Sequence, residues 1–202
     1  MSTPTNIVNI ALRRIGSSRI SDLETDNYKE AVVARDLYSH NRRFLLNTHT
    51  WWFATRRSQL TESATAPTFG WDNAFILPDD FIRVASVHPY DNDQSFTEYR
   101  LGNQSSDERV LETNSTSAYL RYVFDLQDVA VMSSAFQQAF ALLMAKDLGS
   151  ALSKPVTHID RIEDEYKKAL SRAKSAEGVE DYAELLGVGL WATTREPDTS
   201  WG

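Results

Sequence analysis

Adjacent carboxylates are the side chains of this sequence best suited to acid–base chemistry. They occur in three places, Asp79/Asp80, Asp107/Glu108 and Glu163/Asp164/Glu165. Two carboxyl groups that face each other across a cleft can hydrolyse a glycosidic bond, so a glycan-degrading activity is one interpretation. The stretch Leu-Pro-Asp-Asp-Phe around Asp79 and Asp80 is also good turn chemistry, and the sequence does not show which carboxylates face one another.

The other residues that could hold a metal, a cofactor or a nucleophile form no recognisable motif. The four histidines, His40, His49, His88 and His158, lie in different segments at spacings that common metal sites do not use. Cysteine is absent, so thiolate ligands, disulfides and a cysteine nucleophile are excluded. Glycine-rich phosphate loops and the Gly-x-Ser-x-Gly elbow are also missing. We therefore expect no catalytic residue, no cofactor and no metal.

A run of aromatic and basic side chains, NTHTWWFATRRSQL, occupies residues 47–60. Trp51 and Trp52 could stack on nucleic-acid bases, form core where a helix meets a strand, or contact another subunit, where Trp and Arg are favoured. Because side chains alternate across a strand, neighbouring rings should face opposite sides, as should Arg56 and Arg57. Arginine doublets are usually solvated or paired with acidic residues, but they can also bind a partner's carboxylates.

The charge distribution argues against a protein that grips nucleic acid. The formal net charge is −7; residues 1–60 hold nine Lys+Arg against five Asp+Glu, and residues 61–202 hold twelve against 23. Affinity for DNA depends on how many phosphates are neutralised, so an acidic chain binds it poorly. Such a chain could still surround DNA without holding it.

Hydrophobic periodicity predicts four helices that flank a set of short strands. The first helix is capped by Thr3 or Thr5 and ends at Gly16, and the second runs over about 27–47 after a cap at Asp26. Ile10 in the first helix and Phe44 in the second are assigned to the apolar faces. Two further helices follow residue 128, the last one capped by Thr157.

The order of these elements predicts an α+β fold. A helical bundle is expected from residues 1–50 and 129–181, and an antiparallel β lobe from residues 51–128 is inserted between its halves. Residues 182–202 have no defensible period and are assigned to an extended tail. Trp191 and Trp201 make this tail a candidate docking arm for a partner protein; incidental tryptophans in an irregular terminus are the alternative.

The sequence predicts no secretory signal and no membrane span, since its longest apolar run, residues 139–145, is far too short. Together with the missing cysteines, this favours a reducing compartment or synthesis in the cytoplasm.

The order of several motifs resembles the tail tubular protein A family, the head-to-tail adaptors of short-tailed bacteriophages. The resemblance extends over most of residues 6–180. It rests on the opening NIALRRIG, the Ile20/Leu23 connector, the run from Arg42 to Leu60, the stretch LPDDFIR from Leu77 to Arg83, the strand and helix at Tyr119–Phe124 and Ala139–Lys146, and the closing residues Tyr166, Ala169, Leu170 and Ala173.

This resemblance implies a structural virion protein rather than an enzyme. Family members form a ring, commonly twelve-fold, that joins the portal protein to the tail nozzle protein and forms part of the channel through which double-stranded DNA passes. It implies that subunit or portal contacts involve the aromatic and basic residues already singled out, Trp51, Trp52, Arg56, Arg57, Trp191 and Trp201. The glycan-degrading tail protein, with paired carboxylates on the β lobe, remains the alternative.

Overall fold

The computed structural model describes residues 3–91, 95–104 and 108–185, with side chains as far as Glu177. Within these ranges, four helices and seven strands form an α+β fold, as the sequence predicted. The elements follow one another in the order α1 (Pro4–Arg14), α2 (Lys29–Asn47), a single 3-10 turn (Trp52–Ala54), β1 (Thr55–Gln59), β2 (Thr61–Glu62), β3 (Asn73–Ile76), β4 (Phe81–His88), β5 (Arg100–Asn103), β6 (Arg109–Thr113), β7 (Tyr119–Phe124), α3 (Ser134–Ala151) and α4 (Val156–Leu185).

Helix α1 begins and ends where the sequence predicted. The Thr3 hydroxyl accepts a hydrogen bond from the Asn6 N–H at 3.2 Å, and Pro4 follows, where its missing N–H costs nothing. The helix stops before Gly16, whose φ of +66° is the left-handed conformation that glycine adopts readily. The apolar face differs from the prediction, because Val8 is fully buried whereas Ile10 is partly exposed.

Helix α2 starts without the cap that the sequence predicted. Its N-cap residue is Tyr28, which makes no side-chain capping bond. Asp26 instead accepts the backbone N–H groups of Ser21 at 2.6 Å and Asp22 at 3.3 Å, and so closes the connector between α1 and α2. Phe44, which was assigned to the apolar stripe, is half exposed.

Helix α3 is the centre of the bundle and packs against α1, α2 and α4. Ser133 caps its N-terminus by accepting the Phe136 N–H at 3.3 Å. Phe136 and Phe140 are fully buried on one side, and alanines occupy the others, so neighbouring helices approach closely. At Gly149 an added Cβ would lie 3.3 Å from Ile159 of α4, which leaves almost no room between the two helices.

Within the described residues of the β lobe, the strands form two antiparallel sheets. The first sheet has the order β1-β7-β4 and the second the order β2-β3-β6-β5. Arg109 at the start of β6 links them, because its guanidinium donates to the carbonyls of Pro78, Asp79 and Phe81 beside β4 at 3.3–3.4 Å. The three-stranded sheet contacts α2 through β4 and β7, so it is the sheet that joins the lobe to the bundle.

Helix α4 differs from the prediction at both ends. It follows Pro155 directly at Val156, so Thr157 lies inside the helix rather than capping it. It continues to Leu185 and therefore includes the first residues of the tail predicted from residue 182. Trp191 and Trp201 lie outside the described residues. None of the helices described is both long and apolar enough to cross a bilayer.

Candidate assembly surface at the bundle–sheet junction

The turn between α2 and β1 sends neighbouring aromatic rings in opposite directions. Trp51 is fully buried, and its ring meets Phe136 of α3 edge-on at 4.9 Å between centroids. Phe53 stacks on Trp51 at 5.9 Å and meets Phe136 at 5.2 Å. The Trp51 indole N–H donates to the Leu45 carbonyl at 3.2 Å. This aromatic cluster fixes the start of β1 to the bundle, and Trp51 has no exposed surface with which to contact a partner.

Trp52 lies between two core residues but points outward. Its side chain is 52% exposed and touches the edge of Phe53, with ring centroids 5.9 Å apart. Its backbone N–H donates to the buried Glu177 carboxylate of α4 at 3.3 Å. The expected alternation of the rings is therefore confirmed. Two contacts therefore hold Trp52 in place, one between its ring and Phe53 and one between its backbone N–H and α4.

Arg56 of β1 forms a short ion pair at the edge of the three-stranded sheet. Its Nη1 lies 2.6 Å from Asp80 Oδ2, and its guanidinium carbon lies 3.7 Å above the centre of the Phe124 ring. The other oxygen of Asp80 accepts the Tyr122 hydroxyl at 3.0 Å. Burial, and then the hydrogen bond to Asp80, raise the pKa of Tyr122. Arg56 is nevertheless about half exposed, so it is both oriented and accessible.

A second ion pair, between Arg42 of α2 and Asp125 after β7, is nearly buried. The guanidinium Nε and Nη2 both donate to Asp125 Oδ1, at 3.2 and 2.9 Å. The Asp125 N–H donates to the Asp80 carbonyl at 2.8 Å, which joins this pair to the Arg56 pair. The sequence analysis considered Arg42 only as one member of an arginine doublet and did not predict that it is buried. Its position four residues after Tyr38 and three before Leu45 is the spacing of the buried face, and that is the signal that could have found it.

Arg57 faces a different part of the molecule. It lies directly opposite Arg121 of β7 in the strand register, and both line a pocket of about 230 Å³ with His88 and Tyr119. Like charges opposite one another on a sheet are unfavourable unless other groups compensate. The structure thus separates Arg56, which is paired with Asp80, from Arg57, which lines a pocket.

Three carboxylates of the acidic clusters, those of Asp80, Glu163 and Glu165, form ion pairs with basic side chains. Asp80 is bound by Arg56 and Tyr122, and Asp107 lies outside the described residues. Glu163 pairs with Lys167 at 2.9 Å, and this hydrogen bond lowers the pKa of Glu163. Glu165 contacts Arg14 at 3.1 Å and Arg161 at 3.2 Å.

Both of these glutamates lie on α4, in the bundle rather than the lobe. His88 is buried, with Nδ1 at 2.7 Å from the Ser95 carbonyl and Nε2 at 2.8 Å from the Ser86 hydroxyl. Within the ranges described, no three acidic or histidine side chains are gathered where they could hold a metal ion.

Comparison with known families indicates a structural protein of the bacteriophage tail. A family model described as tail tubular protein matches residues 6–178. The chain therefore belongs to the tail tubular protein family, and its place is in the virion tail, in assembly with other virion components. No curated protein matches the chain. The matched region begins in α1 and extends into α4, so it contains the whole bundle–sheet junction.

Proposed function

We propose that the protein is a head-to-tail adaptor. Twelve copies form a homo-oligomeric ring that binds the portal protein on one side and the tail nozzle protein on the other. The ring is made of protein synthesised in the host cytoplasm, and it forms part of the channel for DNA ejection. Membership of the tail tubular protein family is the observation that carries this proposal.

The junction surface supplies the chemistry that such a ring needs. Trp52 is half exposed on a rigid backing, and Arg56 is oriented by Asp80 and Phe124. Exposed Trp and Arg side chains held in place dominate the energy of many protein interfaces, because little conformational freedom is lost when they bind. Trp52, Arg56 and Arg57 are the described residues that we assign to contacts with a neighbouring subunit or the portal. Trp191 and Trp201 are assigned to the same role on the basis of the sequence.

The acidic character of the chain suits a conduit. Acidic walls repel phosphates within roughly 8–10 Å at physiological ionic strength, so DNA would pass through such a channel without specific binding. The excess of acidic residues lies in residues 61–202, and the basic excess in residues 1–60. Basic surfaces of one subunit can therefore meet acidic surfaces of the next. A ring whose channel wall proved strongly basic would contradict this part of the proposal.

Light scattering of the purified protein, alone and mixed with its portal, tests the proposal. We expect a large complex of fixed stoichiometry in the mixture. A chain whose mass is the same with and without portal would overturn the adaptor function.

Variants of the junction surface test which residues make the contacts. Trp52→Ala combined with Arg56→Ala should weaken portal-dependent assembly by at least about tenfold, as expected for an interface hot spot. Phe69→Ala is the matched control, since Phe69 is an exposed aromatic residue in the loop between β2 and β3. Equal assembly by the two variants would exclude Trp52 and Arg56 from the interface.

The glycan-degrading alternative receives no support from a described contact, because the Asp80 carboxylate is engaged by Arg56 and Tyr122. Incubation of the purified protein with capsular and storage polysaccharides is the direct test of that activity.

A further inference from the structure

The outer face of α4 carries basic side chains that lack acidic partners. Residues 166–176 include four basic residues and no acidic one, although the whole chain has a net charge of −7. Three of these residues, Lys168, Arg172 and Lys174, make no ion pair with the part of the chain that the structure describes. This face is therefore suited to an acidic partner surface.

A shallow groove of about 440 Å³ runs along the same face and is lined by Lys167, Leu170, Ser171, Lys174 and Ser175. Lys167 and Lys174 are seven residues apart, which is about two helical turns, so they lie on one side of the helix. Leu170 lies between them, partly buried against the core, and supplies an apolar floor. The groove thus fits an apolar side chain that has a carboxylate beside it.

The β lobe presents such a pair of side chains on segment 95–99, which leads into β5. Phe96 is 75% exposed, and Glu98 is exposed as well. Thr97 between them points inward, because its hydroxyl lies 3.3 Å from the Thr113 hydroxyl of β6. Alternate side chains of an extended segment lie on the same side, so the Phe96 ring and the Glu98 carboxylate stand next to each other.

Both sheets hold the backbone of this segment in place. The Thr97 N–H donates to the Val87 carbonyl of β4 at 3.1 Å, and the Thr113 hydroxyl of β6 donates to the Glu98 carbonyl at 2.8 Å. The Glu98 carboxylate itself forms no ion pair within the described ranges. An anchored backbone loses little conformational freedom when its side chains bind.

We propose that the groove on α4 of one copy binds segment 95–99 of a neighbouring copy. The Phe96 ring packs on Leu170, and the Glu98 carboxylate pairs with Lys174. The spacings agree, because two residues of an extended segment span about 7 Å and the helix rises about 6 Å from Leu170 to Lys174. Lys174 is the cation assigned to this pair since it has no other partner among the described residues.

A second copy is the partner that the charges favour. Residues 51–128, which form the lobe, hold six Lys+Arg against twelve Asp+Glu, whereas the face of α4 is basic. Both surfaces are open in a single chain, so the segment does not fill its own groove. A contact between two different surfaces is head-to-tail, and rotational repetition of such a contact closes a ring. The inference therefore rests on the proposed function and supplies a subunit contact for the ring.

Photochemical cross-linking tests the contact. Phe96→p-benzoylphenylalanine keeps an aromatic group at this position and joins it to neighbouring C–H groups on irradiation. We expect a product of at least two chains, with the cross-link located by peptide mass spectrometry within residues 167–175 of the second copy. The full-length protein is irradiated alone and mixed with portal. Phe69→p-benzoylphenylalanine is the control, because Phe69 is 82% exposed but lies in another loop, and it should not label this groove.

Charge reversal tests the ion pair. Lys174→Glu or Glu98→Lys, added to the cross-linking variant, should lower the yield at least about tenfold, because like charges then meet. The two reversals together should restore most of the yield, and this recovery separates loss of contact from loss of folding. Lys29→Glu, at an exposed lysine that begins α2, makes the same change of charge and should leave the yield unchanged.

The inference would be overturned by the absence of this cross-link from both samples, by a cross-link from position 96 to the portal or to another part of the second copy, or by a yield indifferent to both reversals. The mass of the unmodified protein with portal is measured separately. A fixed complex with portal but without this cross-link would overturn the contact and leave the adaptor function standing. The cross-link without portal binding would overturn the adaptor function alone.

Discussion

The helical bundle buries the aromatic rings at its centre completely, whereas the β lobe buries some rings and exposes others. In the bundle, Phe136 and Phe140 of α3 are fully buried. In the lobe, Phe81 of β4 is buried, but Phe69 and Phe96 in connecting loops are 82% and 75% exposed. The two small sheets, with strands of two to eight residues, leave these loop rings in solvent. We therefore expect the bundle to be the stable scaffold, and the lobe and its junction to carry surfaces available for contacts.

The sharpest test of this difference is the pair of neighbouring tryptophans. Trp51→Ala should reduce the free energy of unfolding by about 3–5 kcal/mol, because it leaves a cavity between Phe53 and Phe136. Trp52→Ala should cost about 1 kcal/mol or less, because the ring is half solvated. Urea denaturation of both variants gives the two values. Similar losses for the two would show that the junction does not separate core from surface.

The two ion pairs at the junction provide the next comparison. Arg42→Met should destabilise the protein by about 3 kcal/mol, because it leaves the Asp125 carboxylate nearly buried without its main partner. Arg56→Ala should cost less than about 1 kcal/mol, because its pair with Asp80 is solvent-screened. The double variant Arg42→Met/Asp125→Leu should recover much of the loss. If Arg42→Met lowered the free energy of unfolding as little as Arg56→Ala does, the burial of the Arg42 pair would be contradicted.

Two glycines with positive φ test whether the bundle tolerates strain less than the lobe. Gly16 has φ +66° after α1, and Gly70 has φ +88° in the loop before β3; both have open space for a Cβ. Gly16→Ala should cost about 1 kcal/mol, because the chain on both sides is anchored in the core. Gly70→Ala should cost less, because its loop can relax. The temperature of thermal unfolding of each variant measures the difference, and an equal shift would remove this distinction.

The smallest effect concerns Tyr38, which packs on Phe140 inside the bundle. Its buried hydroxyl has no hydrogen-bond partner among the described residues, and burial raises its pKa to about 12 from an ordinary value of 10.0. The unfolded chain ionises first, so this residue's contribution to stability is complete below pH 10 and is lost as the pH rises towards 12.

Tyr38→Phe should therefore leave stability at pH 7 unchanged or raise it by up to about 1 kcal/mol, because an unsatisfied polar group is removed. It should also flatten the decline in stability between pH 10 and pH 12. Urea unfolding at several pH values measures both effects. A loss of stability at pH 7 would indicate that the hydroxyl does have a partner in solution.

Much of the fold could be predicted because helical periodicity is a local property. Thr3 and Gly16 mark the ends of α1, and the many alanines of α3 indicate a helix that is packed against several neighbours. The errors arose where a residue with a clear local pattern is bound by groups outside the element that the pattern predicts. Asp26 stands where a helix cap is expected, but its carboxylate accepts the backbone N–H groups of Ser21 and Asp22 instead. The division of the strands into two sheets could not be predicted, because strand pairing joins residues far apart in the chain, as between β1 and β7.

The candidate site could be predicted only in part. The alternation of Trp51 and Trp52 follows from their adjacency, but which of the two is buried depends on the position of Phe136, more than eighty residues away. Arg42 and Arg56 look alike in their doublets. Arg42 is nearly buried because it pairs with Asp125, whereas Arg56 pairs with Asp80 and stays exposed.

The sequence by itself determined the α+β class, the helices and their order, and membership of the tail tubular family, because these depend on local periodicity and on the order of motifs. Only the tertiary structure decided the separation into two sheets, the burial of Trp51 and Arg42, and the pocket between Arg57 and Arg121. Those features depend on the pairing of strands and side chains that are distant in the chain, and no local pattern encodes such a pairing.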